Sequence, residues 1–252
     1  MPISEVRKLP LPPPDMLEQA SLFLDFDGTL VEIAARPDAV VVENRLRDLI
    51  RLLYEHMQGR LAIVSGRAAG NIGALLDGMA ITLVGSHGGE LHWADGRRSI
   101  MEPPRYDGVT RAILQGLREH HPAVLVEEKP LGLALHFRQA PQAEVACHDA
   151  ALQIAARTQL TLQPGKMVIE LKMAGIDKGE AVRVLMAEAP MRDGRPVFVG
   201  DDQTDEAGFR AAVKLGGCGV LVCALRDTIA SYRLAGVDQT LRWLQDAIRI
   251  RA

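Results

Sequence analysis

Leu22, Phe23 and Leu24 form a short apolar run that stops at Asp25, Asp27 and Gly28. That is the pattern of a strand buried on both faces and ended by a turn. Leu46, Leu49, Ile50 and Leu53 then recur at helical spacing, with Gly59 as a stop, and Arg60 to Val64 reads as a second buried strand closed by Ser65, Gly66 and Arg67. Strand, helix and strand in this order predict a right-handed parallel unit. A helix over Ala68 to Leu76, weakened by Gly70 and Gly73, leads to a third strand over Ile81 to Gly85. Glu90 to Trp93 and Arg97 to Ile100 flank Asp95-Gly96, which predicts a hairpin.

From about Met101 the rhythm changes. The pattern predicts a helix over Val109 to Leu117, strands over Val124 to Glu128 and Leu133 to Phe137, a helix over Val145 to Ala156, and one strand over Thr161 to Leu171. The alternation of helix and buried strand then resumes: a helix over Gly179 to Glu188, a strand over Val197 to Gly200, a helix over Asp205 to Leu215, a strand over Val220 to Val222, and a last helix over Leu241 to Ile250. The expected fold class is α/β, a Rossmann-like parallel-sheet core with an inserted smaller α+β cap domain. The expected divisions are an N-terminal extension over 1–20, a core over 21–100 and 173–252, and the insert over 101–172.

Composition narrows the class. A chain of 252 residues, 48% hydrophobic and 24% charged, has the make-up of a soluble globular protein able to bury a sizeable core. Pro2, Pro10, Pro12, Pro13 and Pro14, among Glu5, Arg7, Lys8 and Asp15, interrupt the first twenty residues, so no signal-peptide core is present and a cytoplasmic location is expected. Cys147, Cys218 and Cys223 are odd in number and lack metal-ligand spacing, which predicts buried free thiols. A net charge of −3 leaves no electrostatic footprint for nucleic acid.

The candidate chemistry sits where strands end. The turn at Gly28 lets Asp25 and Asp27 converge at the carboxyl edge, where open α/β sheets bind ligands. Two acids there call for a cation, and magnesium suits carboxylate oxygen and phosphate. Asp25 could attack phosphorus and carry it as an aspartyl-phosphate, while Asp27 could protonate a sugar leaving group. The same residues also read as a polar turn after a buried strand. Asp201 and Asp202 in Gly200-Asp201-Asp202-Gln203-Thr204-Asp205-Glu206 could complete an oxygen shell with Asp25 and the Asp27 carbonyl; Thr204 or Asp205 capping a helix, with Glu206 on its dipole, explains part of that string as well. Ser65 and Gly66 could grip phosphate oxygens at a helix start, and Lys178 could neutralise phosphate. In the insert, Glu127 and Lys129 share a strand face, and Arg138 and Glu170 stand in later strings of the same block, a pattern equally consistent with a solvated sheet face.

Asp25-Phe26-Asp27-Gly28-Thr29, Ser65-Gly66-Arg67, Lys178 and the acidic string at Gly200 occur in the order found in the haloacid dehalogenase-like superfamily of aspartate-nucleophile phosphatases, which the chain resembles. Gly85-Ser86-His87-Gly88, the string Leu133 to Pro141, Gly165-Lys166-Met167-Val168-Ile169-Glu170 and Trp243-Leu244 narrow the resemblance to trehalose-6-phosphate phosphatases of the bacterial type. The resemblance implies that Asp25 is the nucleophile and Asp27 the general acid and base. It implies that Mg²⁺ is held by Asp25, the Asp27 carbonyl and Asp201, with Asp202 and Asp205 supporting them. Ser65, Gly66 and Lys178 would hold phosphate, and Glu127, Lys129, Arg138 and Glu170 the sugar. The implied reaction is Mg²⁺-dependent hydrolysis of trehalose 6-phosphate. Other readings are another capped sugar phosphatase, such as one acting on sucrose 6-phosphate, a phosphomutase, or a non-enzymatic phospho-acceptor or sugar-binding module. The expected partner is a small-molecule sugar phosphate, with no nucleic acid and no membrane, and the chain is expected to act as a monomer.

Overall fold

A computed structural model describes residues 8–33, 40–129, 131–165 and 167–249. Pro2, Glu5, Arg7, Lys166 and Ile250, named above, lie outside that set. The chain divides into two compact units, one made of the described residues up to Ser99 and from Asp177 onward, the other of Ile100–Ile176; the sequence places the insert at 101–172.

The larger unit contains β1 (Ala20–Leu24), α1 (Asn44–His56), β2 (Leu61–Val64), α2 (Ala69–Leu75), β3 (Thr82–Gly85) and β4 (Glu90–His92), and β5 (Arg98–Ile100) ends on the first residue of the other unit. The inserted unit contributes α3 (Gly108–His120), β6 (Leu125–Lys129), β7 (Gly132–His136), α4 (Glu144–Ala155), β8 (Leu160–Gly165) and β9 (Val168–Met173). The larger unit resumes with α5 (Lys178–Met186), β10 (Arg195–Gly200), α6 (Glu206–Lys214), β11 (Cys218–Val222), β12 (Tyr232–Leu234) and α7 (Val237–Arg249).

One eight-stranded sheet runs in the order β12-β11-β10-β1-β2-β3-β4-β5. It is parallel from β12 to β3 and turns antiparallel at β4. Strand alternation divides its apolar side chains between two layers. Leu22, Leu24, Leu61, Ile63, Val197 and Val199 pack with α1 and α7, whereas Phe23, Ala62, Val64 and Phe198 pack with α5 and α6. Phe198 stacks on Phe23 at 6.3 Å and meets Phe209 edge-on at 5.7 Å. A Cβ on Gly208 would fall 2.5 Å from the Phe198 ring, so this glycine lets α6 lie close to the sheet.

The proline-rich segment does not stand off as an extension where it is described. Leu17 is buried in the core, Pro13 O accepts from Trp243 Nε1 at 3.4 Å, and Pro10 O accepts from Arg233 N at 2.9 Å. The three-residue β12, which the sequence pattern misses, is fixed by that bond and by pairing with β11. The last helix starts earlier than its apolar run because Val237 and Thr240 are also buried.

The inserted unit has its own core. Its antiparallel sheet runs β6-β7-β9-β8, and Leu133, Leu135, Phe137, Ile169 and Leu171 on one face pack with Leu114, Leu117, Cys147, Ala151 and Ile154 from α3 and α4. The single strand expected over Thr161 to Leu171 is two strands, paired as a hairpin with Gly165 opposite Val168. Met167 sits at φ 63° in the connection, and Pro164-Gly165 was the turn signal that the apolar content of the segment masked. The three cysteines are free, but only Cys147 is buried; Cys218 and Cys223 are half-buried. Among the described residues, no helix is long and apolar enough to cross a membrane.

Candidate active site

β1 lies between β10 and β2, the position at which the connections on the two sides of an open sheet diverge and leave a crevice beyond the strand ends. Asp25 leaves β1 there, buried, with its N–H donated to Val199 O at 2.9 Å. The chain then turns tightly: Gly28 N–H donates to Val31 O at 2.7 Å and Leu30 N–H to Phe26 O at 2.9 Å. Gly28 has φ +81°, and a Cβ there would fall 2.2 Å from Asp201 Oδ2. Both the backbone region and the space exclude a side chain, and the turn therefore lies against Asp201, which leaves the end of β10.

Lys178, the first residue of α5, is 3% exposed and donates to Asp25 Oδ1 and Asp205 Oδ1, each at 2.6 Å. Asp177 caps the helix by accepting from Glu180 N at 2.7 Å, which fixes the register that aims Lys178 inward. Asp25, Asp201 and Asp205 each offer an oxygen within 4.8 Å of the others'. Burial pushes the Asp25 carboxyl up to about 6 against the pull of Lys178, with the Asp201 charge adding to the rise. Burial likewise lifts Asp201 to about 6, helped by the charge of Asp205, and lifts Asp205 to about 6 against Lys178. For Lys178 burial works against the charge, but Asp25 and Asp205 outweigh it and hold the ammonium above its usual range. Three carboxylates face this one ammonium, so the fully ionised cluster has charge to spare for a divalent cation.

The oxygen inventory shows which acids could take that cation. Asp205 is already engaged, Oδ1 with Lys178 and Oδ2 with the N–H of Asp202 at 2.9 Å. Asp201 Oδ1 is buried and makes no hydrogen bond within the protein, a costly state for a carboxylate oxygen unless a ligand meets it. The donor set, all oxygen and anionic, fits a hard ion such as Mg²⁺.

Asp27 does not join this cluster. Both its oxygens are taken by Arg67, Nε to Oδ2 at 2.6 Å and Nη2 to Oδ1 at 2.7 Å. Ser65, buried at the end of β2, accepts the Arg67 N–H on its hydroxyl at 3.1 Å. Gly66 lies under the His87 ring, which a Cβ would approach to 2.6 Å. At the start of α2, beyond Ser65 and Gly66, Ala69 N–H donates to Glu90 Oε2 at 3.2 Å, and Glu90 also receives the Ser86 hydroxyl.

Asp202 and Asp205 form a reciprocal capping box around the turn before α6. Glu206 stands in the first turn of α6, as the dipole reading expects, and is also buried: it accepts from Arg226, from Thr228 Oγ1 at 2.7 Å and from Ile229 N at 3.2 Å. Arg226 in turn donates to Asp202 O at 2.7 Å, bracing the acidic loop. Sequence reasoning quoted Arg67 without giving it a role and missed Arg226, which stands in no recognisable string.

In the inserted unit, strand register places Glu127 opposite Ala134 and Ala134 opposite Glu170. Glu127, Lys129 and Glu170 thus share the face turned away from α3 and α4. Lys129 Nζ donates to Glu170 Oε1 at 2.7 Å, Lys172 Nζ lies 3.2 Å from Glu170 Oε2, and His136 Nε2 lies 2.9 Å from Glu127 Oε2. Burial alone would raise the Glu170 carboxyl, but Lys129 and Lys172 outweigh it and bring it down to about 2. Arg138, just beyond β7, is exposed.

The trehalose-phosphatase family profile matches residues 23–238, a span that runs from the first strand to the last helix and includes both units. The chain belongs to the trehalose-phosphatase family. It is 39% identical to trehalose-6-phosphate phosphatase of Escherichia coli (strain K12) over 240 residues, 92% of this chain and 88% of the relative. It is 33% identical to a probable trehalose-phosphate phosphatase of Sinorhizobium fredii, covering 82% and 78% of the two chains. The C-terminal domain of Candida albicans trehalose-6-phosphate phosphatase has the same fold, with a TM-score of 0.78 at 22% identity over 96% of this chain and 98% of that one. A haloacid dehalogenase-like hydrolase from Bacteroides thetaiotaomicron superposes with a TM-score of 0.67 at 15% identity, covering 91% and 98%. As a member of the trehalose-phosphatase family the chain is a phosphoric monoester hydrolase, and its parallel-sheet core with an α+β insert is the fold expected from its sequence.

Proposed function

We propose that this chain hydrolyses trehalose 6-phosphate to trehalose and phosphate through an aspartyl-phosphate on Asp25, with Mg²⁺ as cofactor. The observation that carries the reading is the cluster of buried Asp25, Asp205 and Lys178 with half-buried Asp201, in which one carboxylate oxygen of Asp201 is itself buried and has no protein partner. Asp25, Asp201 and the Asp27 carbonyl would hold Mg²⁺. When bound, the ion supplies positive charge toward the phosphoryl oxygens.

The protein's own groups divide the remaining work. Asp25 attacks phosphorus; its oriented carboxylate replaces a weak external nucleophile. Lys178 offsets charge on the phosphoryl group and on Asp25 together, in surroundings of low dielectric where such charge pairing counts most. Ser65 and Gly66 hold phosphate oxygens. Asp27 protonates the departing sugar oxygen, then takes a proton from the water that hydrolyses the intermediate. Asp202 and Asp205 keep the acidic loop in shape. Glu127, Lys129, Arg138 and Glu170 recognise the hydroxyl-rich disaccharide, for which a row of preordered charged groups on one sheet face is suited.

The test is phosphate release from a panel of sugar phosphates, with and without chelator. Trehalose 6-phosphate should be the preferred substrate, chelator should abolish turnover and Mg²⁺ should restore it. Asp25→Asn should lower kcat by on the order of 10³-fold or more in a protein that is still folded at the assay temperature. Equal rates on trehalose 6-phosphate and glucose 6-phosphate would reject the substrate. Activity above a few percent in the Asn variant would reject the nucleophile.

A further inference from the structure

Arg67 has no part in the reaction as set out above, yet its side chain and backbone are both fixed at the catalytic edge. Its N–H donates to Ser65 Oγ at 3.1 Å and its carbonyl accepts from Ser86 N at 2.8 Å. Its guanidinium carbon lies 6.0 Å from the centroid of the Phe26 ring, and its fork closes on Asp27 through the two bonds of 2.6 and 2.7 Å. The Arg67 side chain is only 14% exposed and that of Asp27 32%. A two-point fork fixes both the position and the plane of a carboxylate, which a single ammonium cannot do.

We propose that Arg67 is a positioning residue for proton transfer by Asp27, and this rests on the reading of Asp27 as the proton donor. In the first half of the reaction a bond forms between an Asp25 oxygen and phosphorus, the bond from phosphorus to the sugar oxygen breaks, and that oxygen takes the proton from the Asp27 carboxyl. Asp27 is then an anion, and the guanidinium directed at it stabilises the anion where it stands. In the second half the oxygen of water bonds to phosphorus, the bond between phosphorus and Asp25 breaks, and the water proton returns to Asp27. Arg67 stays charged throughout and exchanges no proton. Its contribution is to hold Asp27 in one orientation through both transfers.

Leaving-group dependence separates this role from a structural one. An alkoxide needs a proton to depart and a dinitrophenolate does not. kcat/KM is to be measured on trehalose 6-phosphate and on 2,4-dinitrophenyl phosphate for wild type, Asp27→Asn, Arg67→Lys and Arg67→Ala, below each protein's unfolding temperature. For both Arg67 variants the sugar ester should lose on the order of 10²-fold and the aryl ester less than about tenfold, with lysine recovering little. Parallel losses on the two esters, an undiminished rate on the sugar ester, or failure of both variants to fold would overturn the proposal. Asp27→Asn should show the same split. If it instead loses both esters equally, the reading of Asp27 as donor fails; a split in Asp27→Asn without one at Arg67 rejects the positioning role alone.

Discussion

A lysine in the first turn of a helix is ordinarily a solvated charge, and Lys178 shows how position overrides that preference. It lies between Asp25 and Asp205 at 2.6 Å from each, almost fully buried. Removing one partner of a buried ionic group leaves the others uncompensated, at a cost of about 3–5 kcal/mol. Lys178→Met should lower stability by that magnitude in urea unfolding at pH 7.5 and by less at pH 5, where carboxyls raised to about 6 are largely neutral. An unchanged midpoint at pH 7.5 would mean that the amine does not balance these acids. The acids themselves were legible as chemistry because Asp25 and Asp201 directly follow apolar runs. Their pairing was not: sequence shows that Asp27 and Arg67 both leave strand ends, but not that the carboxylate rotates to the guanidinium rather than toward Asp25. That choice depends on the turn at Gly28, whose geometry only three dimensions reveal.

The charged face of the inserted sheet depends on pairing between strands. Glu170 on β9 is held by Lys129 on β6 and by Lys172 on its own strand. Its carboxyl drops from 4.5 to about 2 in the folded chain, so its stabilising effect is present above the unfolded value and is lost as pH falls from there toward about 2. The difference in thermal midpoint between wild type and Glu170→Gln should therefore shrink over that window. A difference constant across it would assign the effect to packing. Elements with one strong signal were readable: β1, β2 and β10 are apolar runs ended by glycine, serine or acid, and α1 and α3 carry regular apolar spacing. β8 and β9 merged because apolar residues continue through their turn, and β12 was invisible because three residues are too few to give a pattern. Its strand character comes from neighbours distant in sequence.

At the scale of the whole molecule, the changed rhythm after Met101 announced a second unit, while its far boundary fell between a strand and a helix cap that the pattern does not separate. The larger unit concentrates Asp25, Asp201 and Asp205, each raised from 3.8 to about 6. The folded chain without metal thus binds more protons than the unfolded chain between these values, so its stability falls as pH rises through them. A divalent cation takes the place of those protons. The rise in thermal midpoint produced by Mg²⁺ should accordingly be larger at pH 7.5 than at pH 5, and equal rises at both would place the ion elsewhere. The return from the insert bears on how such chains diversify. Asp177 re-enters the larger unit, its carbonyl pressed so close to Gly88 that a Cβ there would approach to 2.7 Å, and the next residue is Lys178. Each added or deleted residue turns a helix by about 100°. Evolution or an engineer can exchange the guest segment freely only if the splice preserves this junction, because a slip of one position would swing the amine out of its acidic nest.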